Sequence, residues 1–247
     1  MAQAALAARP VLVAPAPFGD GLRAPVVAAA IGRGLEAAGL PPPELCPVTS
    51  GGAGTIEVLL PALGGETGPG FALVEDGGTA IVEPTGDAGG TAAHLAAAAA
   101  AGAAVIVLAA ADAGGAHATA ALEAASPLGG ARVVVLTGAG ERADLPAGAL
   151  AESGTRFVLD ALGVDSRLRA ARALVVGTGR LDERALRGAV EGELAVRARQ
   201  AGVPCHAVVG ANALDLFATR ILDLQRIVLA ADAAGLEAAA GALAEVL

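Results

Sequence analysis

Six short apolar runs, residues 11–14, 104–109, 132–137, 173–176, 206–209 and 226–229, alternate along the chain with Ala-rich segments of helical length. Their apolarity is continuous rather than alternating, which marks strands covered on both faces. Strands of that kind separated by helices form parallel sheets, so the pattern specifies an α/β fold with a parallel, Rossmann-like main sheet. Helices are predicted at residues 24–38, 55–63, 92–101, 116–125, 183–201 and 235–246. Gly39, Gly102 and Gly202 stand where three of them should stop. Residues 71–75 and 79–83 break the pattern, because around Asp76-Gly77-Gly78 they read as a β-hairpin. A hairpin inside a parallel arrangement predicts an inserted second lobe. Residues 138–148, with Pro146 and several glycines, are expected to be loop.

The core must be built from small side chains. Hydrophobic residues make up 55% of the 247, and mean hydropathy is +0.63, but there is no Trp or Tyr and only four Phe. Most of the apolar share is Ala and Val, and Ala is too weakly apolar to drive membrane insertion as Leu does. The uncharged stretch 89–111 is therefore expected to be a buried helix feeding a buried strand, with no membrane as partner. Residues 1–10 lack a basic segment followed by a long apolar one, so no signal peptide is expected. Two cysteines, Cys46 and Cys205, suit reduced thiols and a cytoplasmic location better than a disulfide framework. A net charge of −9 and the lack of aromatic–basic interleaving exclude nucleic acid as a partner.

All sixteen basic residues are Arg. A Walker-A loop and a Schiff-base catalyst both need Lys, so both are excluded. His94, His117 and His206 lack the spacing of metal ligands, and Cys205-His206 sits inside a predicted strand; no metal site is assigned. Ser126 and Ser153 have no base pattern nearby, and the catalytic residues are left unassigned. Gly138-Ala139-Gly140 follows a strand, but no helix of the right pattern comes after it to make a dinucleotide loop.

Three segments, in order, carry a family resemblance. Ala14-Pro15 with Phe18 to Leu22 is similar to an Ala-Pro-Asp-Ser-Phe-Lys segment. Pro47 to Thr55 is similar to a segment containing Asp-Gly-Gly-Glu-Gly-Thr. Gly177-Thr178-Gly179-Arg180-Leu181-Asp182, a helix, Val203-Pro204 and Gly210 resemble a C-terminal Gly-Glu-Gly-Arg-Ile-Asp signature. Together they resemble the bacterial glycerate kinase family, as a degenerate and shortened member. The resemblance implies a two-lobed α/β fold, with residues 1–68 and 166–247 forming a discontinuous main lobe and residues 69–165 an inserted lobe. It also implies ATP and Mg²⁺ as the requirements of an active enzyme.

The departures fall on charged positions. Ala16, Pro17, Gly19, Ser50, Ala53, Thr178 and Ala189 stand where the family has Asp, Ser, Lys, Asp, Glu, Glu and Lys. Phosphoryl transfer relies on cations, Mg²⁺ ligands and a base around the phosphates, and these are the groups replaced. The expectation is a family protein that has lost phosphotransferase activity, needs no cofactor, and binds a small anion, a hydroxy acid or a protein partner, including a second copy of itself. The alternative is an active ATP-dependent kinase of D-glycerate or a similar acid, with Arg23, Arg180 and Arg187 as replacement cations.

The ligand-binding candidates are Gly51, Gly52, Gly54 and Thr55, a turn opening a helix whose N–H groups can face an anion, and Gly177, Gly179, Arg180 and Asp182. A tight turn explains the first group equally well, and an Arg–Asp pair fixing a turn explains the second. Asp112 and Glu83, at strand ends, are candidates for one retained Mg²⁺ contact. Arg167, Arg169 and Arg172 are expected on a solvated helix end.

Overall fold

The computed structural model describes residues 9–18, 21–75 and 77–247. Gly19 and Asp76 lie outside the described residues. The chain begins with β1 (Val11–Pro15), α1 (Ala24–Ala37) and β2 (Glu44–Leu45). There follow α2 (Thr55–Leu63), β3 (Glu66–Gly68), β4 (Phe71–Val74), β5 (Thr79–Val82), α3 (Ala88–Ala100), β6 (Val105–Leu108), α4 (Gly115–Ala125), β7 (Arg132–Thr137), β8 (Ala149–Ser153) and α5 (Gly154–Ala161). The last third holds α6 (Val164–Ala170), β9 (Ala173–Leu181), a 3-10 turn (Glu183–Arg187), α7 (Val190–Ala201), β10 (Cys205–Asn212), α8 (Leu216–Ile221), β11 (Leu224–Leu229) and α9 (Ala233–Leu243).

These elements form two compact units, residues 1–48 with 163–247, and residues 49–162. The boundary expected at residue 68 lies at 48 because β3 pairs with β4, and α2 packs on β4 and β5. The boundary expected at 165 lies at 162 because α6 packs on α7.

In the first unit the described strands run β11-β10-β9-β1-β2, all parallel. Val11 to Ala14 pair with Ala173 to Val176 although some 160 residues separate them, and β10 lies on the far side of β9. The apolar runs account for this, since every residue of β1 is buried and a strand covered on both faces needs a neighbour on each edge. One face carries Val11, Val13, Val175 and Val208 under α1 and α9. These two helices come close at Gly34, where an added methyl would lie 2.2 Å from the Glu237 carbonyl and 2.8 Å from Ala240 Cβ. Arg33 flanks this contact with hydrogen bonds of 2.8 and 2.6 Å to Glu237.

In the second unit β4 and β5 form the expected antiparallel hairpin, and β5, β6, β7 and β8 continue in parallel. Alanines of α3 and α4 pack with Leu95, Leu122, Ile106, Leu108 and Val135. Five of the six predicted helices stand close to where they are expected. The sixth, residues 183–201, is broken, because Gly188 takes a left-handed φ of +94° that ends the 3-10 turn before α7 begins. Arg167 and Arg169 do fall in the last turn of α6, yet Arg167 is only half exposed and ion-pairs with Glu44 of β2.

Candidate functional site

Each unit contains one of the glycine-rich segments. In the second unit, Thr49 to Thr55 makes a turn knitted from inside. The buried hydroxyls of Thr49 and Thr55 lie 3.1 Å apart, and the Thr55 hydroxyl donates to the Gly52 carbonyl at 2.6 Å. The Gly51 N–H donates to Thr49 Oγ1 at 3.4 Å. Gly51 is required by contact as well as by its φ of +87°, since an added methyl would sit 2.4 Å from Gly154 Cα. Gly54, at φ +83°, is the N-cap of α2 and offers no side chain to the helix. That leaves the first-turn amides to be met by other groups.

Two carboxylates stand at this segment, one on the turn before the N-cap and one on the first turn of the helix. Asp112, just beyond β6, accepts from the Ala53 N–H at 3.0 Å through Oδ2 and from the Ser50 hydroxyl at 3.3 Å through Oδ1. Glu83, just beyond β5, accepts from the Ile56 N–H at 2.8 Å. Gly52 makes room for the first of these: a methyl there would fall 1.9 Å from Asp112 Oδ2. Both strand-end acids singled out in the sequence thus reach the segment that opens α2, Asp112 at the turn before the N-cap and Glu83 at the first-turn amide of Ile56, where the helix dipole favours negative charge. The Ala53–Asp112 bond has no local sequence signal, because 59 residues separate the partners.

In the first unit the other segment lies along β9. Following β1, the chain goes through α1 to β2 on one side; following β9, it goes through α7 to β10 on the other. Right-handed crossovers in opposite directions place α1 and α7 on opposite faces, so the carboxyl ends of β1 and β9 flank a topological switch point, the usual place for a ligand in such sheets. The strands close up there, since a methyl on Gly177 would lie 2.7 Å from Pro15 Cβ, and Ala16 N–H donates to the Gly177 carbonyl at 2.8 Å. Gly210 lets β10 approach β9, since a methyl on it would lie 2.4 Å from the Gly179 carbonyl. Arg180 follows, with its side chain 60% exposed and Nε 3.4 Å from Asp182 Oδ2.

Asp182 caps the 3-10 turn. Its Oδ1 accepts from the Arg184 backbone N–H at 3.0 Å and from Arg184 Nε at 3.1 Å. The side-chain bond from Arg184 is the main reason its carboxyl titrates below the ordinary value, with Arg180 a smaller contributor. Arg184 was not singled out in the sequence, although an Asp two residues ahead of an Arg at a helix start is the pattern that signals it. Glu191, in the first turn of α7, is buried, and burial pushes its carboxyl above the ordinary value.

His206 is buried in β10, where desolvation and Arg226 lower its pKa. His117 Nε2 lies 3.0 Å from Thr91 Oγ1. His94 packs under Gly70, whose missing side chain leaves space for the ring. Ser153 caps α5, accepting from the Arg156 N–H at 3.4 Å.

Comparison with known proteins agrees with this arrangement. A model of the glycerate kinase family matches residues 11–119 and 120–245. This chain belongs to the glycerate kinase family. Its fold is that of the crystal structure of a "putative glycerate kinase 2" from Salmonella typhimurium LT2, with a TM-score of 0.70, 18% identity, and coverage of 97% of this chain and 98% of the other. No curated protein matches the sequence significantly. Among the described residues of this glycerate kinase family chain, no helix is long and apolar enough to cross a membrane.

Proposed function

We propose that this member of the glycerate kinase family does not transfer phosphoryl groups and binds a small anion at the switch point of its first unit. The observation that carries the reading is the Asp112 carboxylate, fixed 3.0 Å from the Ala53 amide on the glycine-rich turn. A phosphate brought to that turn would meet a negative charge where the chemistry needs donors and cations. Carboxylates that would hold Mg²⁺ are also replaced in each unit, by Ala16 and Thr178 in the first and by Ser50 and Ala53 in the second.

The first unit keeps a cation instead. Arg180, mostly exposed at the end of β9, presents a fork of donors suited to the carboxylate of a hydroxy acid or to phosphate. Asp182 does not cancel it, since its carboxylate is shared with Arg184.

Two measurements test the proposal. Incubation with D-glycerate and Mg·ATP is expected to release no ADP above background. Turnover on the order of 1 to 100 per second would reverse the reading in favour of an active kinase of D-glycerate or a similar acid. In a thermal-shift titration, phosphate or D-glycerate without Mg²⁺ should raise the melting temperature, because a ligand selective for the folded state stabilises it. Arg180→Ala should abolish that rise, and Arg226→Ala should leave it intact, Arg226 being level with His206 near the opposite ends of the strands. Equal responses of the two variants would refute the Arg180 assignment.

A further inference from the structure

Among the described residues, the first unit leaves an apolar surface beside an open sheet edge. In a chain with four phenylalanines, Phe217 is 73% exposed, and Leu216 beside it is 68% exposed. Both lie in α8, whose Ile221 is also exposed and whose only buried residue is Ala218. The strand that follows, β11, ends the sheet, and Leu229 at its end is 65% exposed.

These residues share one side of the sheet. The crossover from β10 to β11 runs in the same direction as that from β9 to β10, so α8 lies on the face that α7 covers. Consistent with this, Arg199 of α7 donates to the Ile221 carbonyl of α8 at 2.9 Å. Val228 packs on the core of the opposite face, so alternation turns Ile227 and Leu229 toward the α8 side. Backbone direction follows the same rule. The Ala230 N–H reaches inward to the Val209 carbonyl, which leaves the N–H and C=O groups of Ile227 and Leu229 pointing out from the edge.

From these features we infer that a second copy of this chain docks here, joining β11 to β11 antiparallel across a two-fold axis and making one continuous sheet. Three observations favour a like copy over a different partner. The patch is self-complementary, since apolar side chains can face their own kind. An axis beside Val228 lets Ile227 exchange backbone hydrogen bonds with Leu229 of the partner subunit, and the same pair recurs by symmetry. Both charge signs flank the apolar residues, with Asp215 capping α8, Arg220 in its last turn and the exposed Asp223 just beyond it, as a surface that must meet itself requires. Leu216, Phe217, Ile221 and Leu229 expose on the order of 400 Å² of apolar surface, within the range at which a patch on a monomer marks an interaction site. That is about half of what a standard interface takes from each partner, and the strand edge with its rim supplies the remainder.

The test is sedimentation of the full chain at micromolar concentration, with circular dichroism to verify folding. The wild type should sediment at twice the chain mass of 23.6 kDa. Phe217→Asp, at a site already in water, should raise the dimer dissociation constant by at least about tenfold, the loss expected for a central aromatic anchor. Ile227→Pro should do the same by removing an outward N–H, a change that an edge strand tolerates. Leu150→Asp, an exposed apolar position on β8 in the second unit, should have no effect. Phe217→Trp gives a unique fluorescent reporter, because the chain has no Trp, and its emission should shift to the blue as the dimer forms. A wild type that stays monomeric overturns the inference, and blue emission from that monomer would assign the cover to another part of the same chain. A dimer insensitive to both Phe217→Asp and Ile227→Pro overturns it as well.

Discussion

Gly52→Ala isolates the contact on which the functional proposal rests. The substitution adds one carbon, placed 1.9 Å from Asp112 Oδ2 and 2.3 Å from its Cγ. Gly52 is not among the positive-φ glycines, so the backbone itself accepts Ala. The Asp112 carboxylate must swing away, giving up the Ala53 N–H at 3.0 Å and the Ser50 hydroxyl at 3.3 Å. Losing a hydrogen bond of this kind costs about 0.5 to 1.5 kcal/mol, and because Asp112 is exposed we take about 1 kcal/mol for the loss. Asp112→Ala removes the same bonds and should cost about the same. If one contact underlies both costs, the double variant is destabilised by about 1 kcal/mol rather than 2, a coupling well above the 0.3–0.5 kcal/mol seen between independent sites. Any gain from restricting the unfolded chain at residue 52 enters both backgrounds equally and cancels in the cycle. Urea unfolding of the four proteins followed by circular dichroism reads the cycle. Costs that add within about 0.5 kcal/mol would show that Asp112 does not sit on the turn.

Gly34→Ala should destabilise the first unit by about 1 to 3 kcal/mol, the usual cost of overpacking, despite the better helix propensity of Ala, because the new methyl meets the backbone carbonyl of Glu237; an unchanged urea midpoint would refute the α1–α9 contact. Burial pushes the Cys46 thiol up to about 11 and the Cys205 thiol to about 12, from 9.0 for each. Since the folded state holds these protons more tightly, their effect on stability is nil below about pH 9, and stability falls as pH rises from there through 11 and 12. Cys46→Ser with Cys205→Ala should flatten that decline, measured as melting temperature against pH, and an unaltered slope would refute it.

The sheet of the first unit was legible because continuous apolar runs such as Val11-Leu12-Val13-Ala14 allow little besides a doubly covered strand. The hairpin was legible because Gly77-Gly78 marks a turn between two matched runs. What escaped notice was held by weaker or more distant signals. β8 is largely exposed and polar at its end, Ala-Leu-Ala-Glu-Ser, and is a strand only because β7 offers it an edge. β2 has two residues and depends on β1 and on Arg167. The break at Gly188 competes with strong helical propensity on both sides, and left-handed backbone there wins. At the candidate site the glycines were visible, but their reasons were not: Gly51 answers to Gly154 and Gly52 to Asp112, residues remote in sequence.

The pairing of β1 with β9 also sets an order of events during synthesis. β1 and α1 leave the ribosome before the strand that fills the sheet beside them, which is made about 160 residues later, a delay on the order of ten seconds at ordinary elongation rates. The second unit, residues 49–162, is complete before then and is free to fold in the meantime. During that interval Val11, Leu12 and Val13 lack their β9 neighbour, so the segment that carries them stays open to chaperones.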